Sequence, residues 1–480
     1  MNNETKKDKI KIGLFGIGLD TYWQQFDGLK DRLVGYQNVI ADKLGKSGVE
    51  VVNVGLVDNP DSAIEAAKKF KQEDISLIFL YVSTYALSST VLPVVQKLNV
   101  PVIVLNLQPV KSINYAEFNS LGDRTKMTGE WLAHCQACSV PEIANVFLRA
   151  GIKFYQITGT LHDDSIAWNE INSWLRAVQV VQIIRSCRIG LLGHYYNGML
   201  DIYSDLTKLS AQLGVHFEIL EMCELKDNFS QVSSDSLNKK IYEIHNLFDV
   251  QEDCPETEIS RAAKMSLALD RLIESHNLGA MAYFYNGTGD DNYVDLISSV
   301  IVGNSILTGA GIPIAGEYEV KNVLAMKIMD SFGAGGSFTE FYAMDFNDDI
   351  ILMGHDGPVH TAIAQGKTKI KPLKVYHGKV GQGLSVETSV RYGNVTLLSV
   401  IDSPDGNVSF LIAEGESVTG PILEIGNTNS RYKFSIGVRG FIDAWCKHGP
   451  AHHCAIGIGH IAQELEKLAQ LLGIKSIRVC

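Results

Sequence analysis

Ile75-Ser76-Leu77-Ile78-Phe79-Leu80-Tyr81-Val82 opens an uncharged run that continues to residue 95. As a membrane span the run is poor, because six Ser/Thr residues and Pro93 interrupt it and polar groups are costly in hydrocarbon. As a buried strand followed by a loop and a helix it reads well. A strand that is apolar at nearly every position has both faces covered, which is the habit of parallel sheets. Its neighbours agree: residues 10–15, 51–54 and 102–105 are further short apolar strands, and residues 31–46 and 62–71 between them show helical spacing. Such alternation predicts a doubly wound parallel sheet, with ligands at the carboxyl ends of its strands.

Outward from this block the texture changes twice. A second alternating region starts near residue 186, with strands at 188–192, 216–220 and 280–285 and a helix from about residue 203; its middle, 226–257, is polar and weakly patterned, and regular structure is not expected throughout it. Beyond about residue 344 come short β-rich runs at 374–376, 395–400 and 408–412, punctuated by Gly, Asp and Asn, as in an antiparallel barrel or sandwich. A final amphipathic helix is expected over 459–472. The 480 residues exceed what one core usually organises. The expectation is therefore α/β: two doubly wound, Rossmann-like domains at 1–183 and 184–325, followed by a β-rich barrel or sandwich domain at 326–480.

Charge and cysteine content remove several function classes. Forty-two Lys/Arg against 54 Asp/Glu give a net charge of −12, so no basic surface suits a phosphate backbone and nucleic acid is not an expected partner. Residues 1–11 are polar and Lys-rich without an apolar signal-peptide core, so a cytoplasmic protein with no membrane partner is expected. Eight scattered cysteines are too sparse for a disulfide framework. Cys135 and Cys138 form a CxxC pair after His134, but no second CxxC follows and the HxxxH of His448 and His452 lies far downstream, so structural zinc is not expected.

Two glycine-rich stretches are weak signals. Gly16 and Gly18, followed by Asp20 and Thr21, lack the third glycine of a dinucleotide fingerprint. Gly333-Ala334-Gly335-Gly336 lacks the Lys-Ser/Thr of a phosphate loop. The stronger constellation is Glu317, Glu340 and His355, within about forty residues of one another and each beside glycine or small residues that let backbone approach a ligand. Glu317 follows the apolar 312–315 as a strand-end residue does, and His355 follows the strand 350–353. Gly449-Pro450-Ala451-His452-His453-Cys454 adds a histidine pair after a turn. Two carboxylates with two imidazoles suit Mn²⁺ or a similar divalent ion with open positions for substrate. The rival reading is ordinary capping glutamates and satisfied polar histidines.

The ordered set Ala315-Gly316-Glu317, Ile328-Met329, Gly335-Gly336-Ser337-Phe338-Thr339-Glu340, Gly354-His355 and Gly449-Pro450-Ala451-His452-His453 resembles the metal-site motifs of L-arabinose isomerases. Ile157-Thr158-Gly159 with His162, and Ser173-Trp174-Leu175-Arg176, extend the resemblance over nearly the full chain. It implies two α/β domains of the fucose and arabinose isomerase type, a β-rich third domain, and a homo-oligomer, a trimer or hexamer, with active sites near subunit interfaces. It also implies a Mn²⁺-dependent aldose to ketose isomerase acting on a small-molecule sugar, an open-chain aldopentose or aldohexose, through an enediolate. Carried over, Glu317, Glu340, His355 and His453 would hold the metal, His453 matching the second histidine of the family pair. Glu317 and Glu340 would share the general base and acid roles.

The departures concern the sugar rather than the metal. Where the family carries Gly-Ser-Gln-His after the first strand, this chain reads Gly18-Leu19-Asp20-Thr21-Tyr22; for Asn-Gln-x-x-His-Gly after the fourth it reads Asn106-Leu107-Gln108-Pro109-Val110-Lys111. Tyr318-Glu319-Val320 stands where Gly-Asp-Trp is common. Asp20, Tyr22, Gln108 and His194 are taken as candidate substrate contacts, with Tyr195 and Asn286 beside them. Asp356 is a candidate to orient His355, while His360 and His377 are read as structural. A non-catalytic sugar-binding or regulatory protein and a metal-dependent sugar epimerase are the alternatives.

Overall fold

The computed structural model describes residues 9–286, 292–376, 379–380 and 382–480; His377 lies outside them. The chain forms two compact units, Met1–Gln179 and Val180–Cys480.

The first unit contains β1 (Lys11–Ile17), β2 (Glu50–Val57), β3 (Leu77–Tyr81), β4 (Val102–Gln108) and β5 (Phe154–Thr160) in a parallel sheet of order β2-β1-β3-β4-β5. All five residues of β3 are buried, because helices cover both faces of the sheet. The uncharged run from residue 75 is thus a central strand followed by the helix Ser88–Val95. Among the described residues no helix is long and apolar enough to cross a membrane. The helix Pro60–Gln72 starts on a capping box in which Asn59 accepts from the Ser62 backbone N–H and Ser62 Oγ from that of Asn59. Strand order reverses between β1 and β3, the position where sheets of this order bind ligands.

The second unit runs through β6 (Arg188–Gly193), β7 (His216–Leu220), β8 (Asp249–Val250), β9 (Ala280–Phe284) and β10 (Ile314–Ala315), of which β10-β9-β6-β7 make a parallel four-stranded sheet. Then follow β11 (Ser337–Asp345), β12 (Ile350–His355), β13 (Lys369–Pro372), β14 (Val375–Tyr376), β15 (Lys379–Val380), β16 (Leu384–Glu387), β17 (Gly393–Asp402), β18 (Val408–Val418), β19 (Thr428–Phe434), β20 (His453–Ile458) and β21 (Lys475–Arg478). The order β17-β20-β11-β12-β19-β18 closes through pairing of β17 with β18 into a six-stranded antiparallel barrel, to which β21 adds in parallel. Closure removes exposed sheet edges. Strand β13 pairs with β16 and β8 in a small separate sheet. The architecture of two parallel α/β sheets followed by an antiparallel barrel is the one the sequence predicts.

Two local expectations need correction. Residues 226–257, where regular structure is not expected throughout from the sequence, contain most of the helix Met222–Ser230 and all of Ser234–Leu247, the latter capped by Ser233. Its inward face carries Leu237, Ile241 and Ile244 at helical spacing, together with Lys240, which is buried because Asp270 and Glu243 neutralise it at 3.0 and 2.9 Å. The chain also does not end on a helix. The helix Ala462–Leu472 stops at Gly473, whose φ of +74° is left-handed, and β21 follows.

Candidate metal centre

Three neighbouring barrel strands bring three of the four expected ligands together. In the β11–β20 register Glu340 lies opposite His453, and in the β11–β12 register Glu340 faces Gly354, one residue before His355. Glu317 arrives from the other sheet, in the turn after β10. That turn carries two consecutive non-glycine residues in the left-handed region, Glu317 at φ +57° and Tyr318 at φ +61°. Such backbone costs about 1–3 kcal/mol per residue and survives where surroundings over-determine it, commonly at functional sites. The following helix, Val320–Ser331, is buried over nearly its whole length against β9, β10, β17 and β20, which pins the turn.

The four side chains converge. Glu317 Oε2 is 3.4 Å from His453 Nε2, Glu317 Oε1 is 3.9 Å from His355 Nε2, and Glu340 Oε2 is 3.9 Å from His453 Nε2. Phe338, two residues before Glu340 and therefore on the same face of β11, packs its ring 4.3 Å from those of both His355 and His453. Glu317 Oε2 and His453 Nε2 are buried without a hydrogen-bond partner among the described residues. Buried polar atoms are normally paired, so an acceptor oxygen and an imidazole nitrogen left facing each other fit a cation between them. Two sets of ligand atoms lie within 4.8 Å of one another, Glu317-His355-His453 and Glu340-His452-His453. Both must use His453 Nε2, because His453 Nδ1 is held by Glu319. They are two sides of one locus.

Glu319 is the residue that sequence reasoning missed. It is 1% exposed, and its carboxylate accepts from His453 Nδ1–H, a carboxylate–histidine arrangement that fixes the ring and turns Nε2 toward a metal. A signal was present: Glu319 keeps a carboxylate at the middle position of Gly-Asp-Trp. His452 points differently. Its Nδ1 and backbone N lie 2.6 and 2.9 Å from Asp201 Oδ2, and its Nε2 is 3.6 Å from Glu317 Oε2. Burial lowers the pKa of His452, but the neighbouring Glu317 and Asp201 carboxylates outweigh it and push the imidazole up to about 9.

The locus is flanked by two cavities. One, of about 70 Å³, has an aromatic wall of Tyr196, Tyr283, Phe284 and Tyr285 facing Glu317 and His355. The other, of about 320 Å³, is bordered by Asp201, Glu340, Trp445 and His452. Burial pushes the Tyr283 phenol well above its usual range, which keeps it a neutral hydroxyl. Asp356 lines the first cavity beside His355.

The remaining sequence candidates are placed as follows. His194 stands at the end of β6, its Nδ1 2.9 Å from Tyr195 O and its Nε2 accepting from the Asn286 backbone N–H at 3.4 Å. In the first unit, Asp20 and Tyr22 form a short 3-10 turn after β1. Gln108, at the end of β4, donates to His134 O at 2.9 Å. These three occupy carboxyl ends of the parallel sheet. His360 is buried, with Nε2 3.1 Å from Asp330 Oδ1. The CxxC thiols are free, Cys135 buried and Cys138 exposed.

Comparison with known proteins points the same way. Residues 335–475 match the L-arabinose isomerase C-terminal domain. L-arabinose isomerase 1 of Bacillus licheniformis is 21% identical over 414 residues, covering 85% of this chain and 81% of that protein. L-arabinose isomerase of Nocardioides sp. is 21% identical over 445 residues, 90% and 86% of the two chains. Sulfoquinovose isomerase of Alkalicoccus urumqiensis is 20% identical over 323 residues, 66% and 70%. With residues 335–475 matched to that domain and the similarity to L-arabinose isomerases extending over 85–90% of the chain at 21% identity, the chain resembles the L-arabinose isomerases at a distant level.

Proposed function

We propose that this protein is a metal-dependent aldose–ketose isomerase that moves the carbonyl of an open-chain aldopentose or aldohexose from C1 to C2 through an enediolate. The observation that carries the reading is the convergence of Glu317, Glu340, His355 and His453, with Glu317 Oε2 and His453 Nε2 buried and unpartnered. Mn²⁺ or another divalent cation bound by these four residues would supply Lewis acidity to the two sugar oxygens as charge develops on them. The two carboxylates divide the proton work: one takes the proton from C2 and returns it to C1, the other handles the hydroxyl proton exchanged between O1 and O2. Glu319 holds His453 in one tautomer, Phe338 packs against both imidazoles, and an aromatic wall lines the cavity beside Glu317 and His355.

The sugar contacts proposed are Asp20, Tyr22, Gln108 and His194. The reading includes domains at 1–183, 184–325 and 326–480, a cytoplasmic location, and a homo-oligomeric trimer or hexamer, which light scattering after size exclusion measures directly.

The test is ketose formation from a panel of aldopentoses, aldohexoses and sulfoquinovose, by metal-stripped protein with and without Mn²⁺, followed by chromatography. Metal-dependent ketose from one aldose is the expected result. Sugar binding without conversion overturns the proposal in favour of a binding protein, and a C2 or C4 epimer without ketose in favour of an epimerase.

A further inference from the structure

His452, the first residue of the histidine pair, has no part in the four-ligand set, yet it sits between the two carboxylates. Its Nε2 is 3.6 Å from Glu317 Oε2, it borders the same 320 Å³ cavity as Glu340, and its ring lies 3.8 Å from that of His453. An imidazole on a turn has two torsions free to rotate, so something must hold it there. Asp201 does, with a single carboxylate oxygen 2.6 Å from Nδ1 and 2.9 Å from the backbone N of the same residue. The two bonds together fix the main chain and the ring of His452, and they leave Nε2 as the ring nitrogen that faces Glu317 and the cavity.

Asp201 is itself held from behind. The Lys321 amine, 6% exposed, donates to the Asp201 carbonyl at 3.0 Å and to Asp402 Oδ2 at 3.0 Å. Lys321 is the second residue of the buried helix that begins immediately after Glu319. The segment Leu200–Ile202, the helix that follows the Glu317 turn, and β17 through Asp402 are therefore tied at one point.

We infer that Asp201 is a positioning residue for the reaction, orienting His452 so that its Nε2 is presented between Glu317 and the substrate cavity. The inference rests on the isomerase reading above. It assigns His452 to the sugar side of the locus and leaves the cation to Glu317, Glu340, His355 and His453.

The experiment compares Asp201→Ala, Asp201→Asn, His452→Asn and the double variant Asp201→Ala/His452→Asn with the wild-type full chain. Three quantities are read: Mn²⁺ affinity by calorimetry, kcat and KM on the aldose found active, and the downfield proton resonance of the His452 Nδ1–H in metal-free protein. Asp201→Ala is expected to lose the resonance and about tenfold to a hundredfold in kcat, with Mn²⁺ affinity within about threefold of wild type. Asp201→Asn, whose amide oxygen still accepts, keeps part of the rate. The double variant is no slower than His452→Asn, because one interaction is removed only once.

An unchanged kcat in Asp201→Ala overturns the inference. So does a tenfold or larger fall in the Mn²⁺ affinity of Asp201→Ala or His452→Asn, which would make His452 a metal ligand, and so does absence of the resonance in wild type. If wild type shows the resonance and binds Mn²⁺ but isomerises nothing in the panel, the isomerase reading falls instead, and the Asp201–His452 bond stands as structure.

Discussion

Glu317 holds its carboxylate on a left-handed backbone, with one oxygen toward His355 and the other toward His453. Replacing that carboxylate by an amide keeps the shape and removes both the ligand charge and the proton acceptor. Glu317→Gln and Glu340→Gln should each lower turnover by about 10²–10⁴ while far-UV circular dichroism stays unchanged; near-wild-type rates in either variant would remove that carboxylate from the chemistry. Glu319→Gln should weaken Mn²⁺ binding by about tenfold to a hundredfold, read by calorimetry, because His453 then loses the partner that fixes its tautomer. His452 carries a pH prediction. Its pKa is raised from 6.5 to about 9 in the fold, so its contribution to stability is fully present below about pH 6.5 and is lost as pH rises through 9. Thermal melts of metal-free protein should show that loss across this window, and His452→Asn should remove it. At this scale the sequence was legible where residue type and motif order carried the information, as for Glu317, Glu340, His355 and His453. Glu319 carried only the faint signal of a carboxylate kept at a motif position, and its role was missed because a carboxylate held by a buried imidazole and one in water look identical in a string of letters.

The elements explain why these residues meet. Strands β20, β11 and β12 are neighbours, so His453, Glu340 and His355 are placed by antiparallel register and not by loops. Gly354 makes the closeness possible: a Cβ there would stand 1.9 Å from the Thr428 carbonyl oxygen on β19. Gly354→Ala must therefore push β12 from β19 and displace the adjoining His355. A stability loss of about 1–3 kcal/mol is expected from overpacking, read by denaturant melts, together with weakened Mn²⁺ binding. Stability loss with unchanged binding would show that β12 absorbs the shift without moving the ligand. The strands and helices of the two parallel sheets were readable because covered strands are continuous apolar runs, as at Leu77–Tyr81. The helix Ser234–Leu247 was passed over although Leu237, Ile241 and Ile244 recur at helical spacing, because polar residues surround them and Lys240, buried against Asp270, stands on the same inward face. Strand β21 was missed for a similar reason: four residues after a helix show no period of their own, and it is a strand only because β18 offers it a parallel partner.

At the scale of the whole molecule, a cation that binds the native state and not the unfolded chain stabilises by mass action. At a hundredfold excess over its Kd, Mn²⁺ should add about 2.7 kcal/mol and raise the melting midpoint by several degrees. Glu317→Gln should abolish that rise in differential scanning calorimetry; an equal rise in the variant would place the bound metal elsewhere. Four ligands drawn from the turn after β10 and from three barrel strands make the site a property of the assembled second unit. What the sequence alone determined is whatever is written locally or in order: strand–helix alternation, the β-rich C-terminal third, and the order of the Glu and His motifs along the chain. Tertiary structure alone decided which histidine of the pair faces Glu319 and which faces Asp201, that the barrel closes by pairing β17 with β18, and that one oxygen and one nitrogen are left buried and facing each other. The physical reason is that burial, register and hydrogen-bond partnership are relations between residues far apart in the chain, and they take values only once the chain has folded.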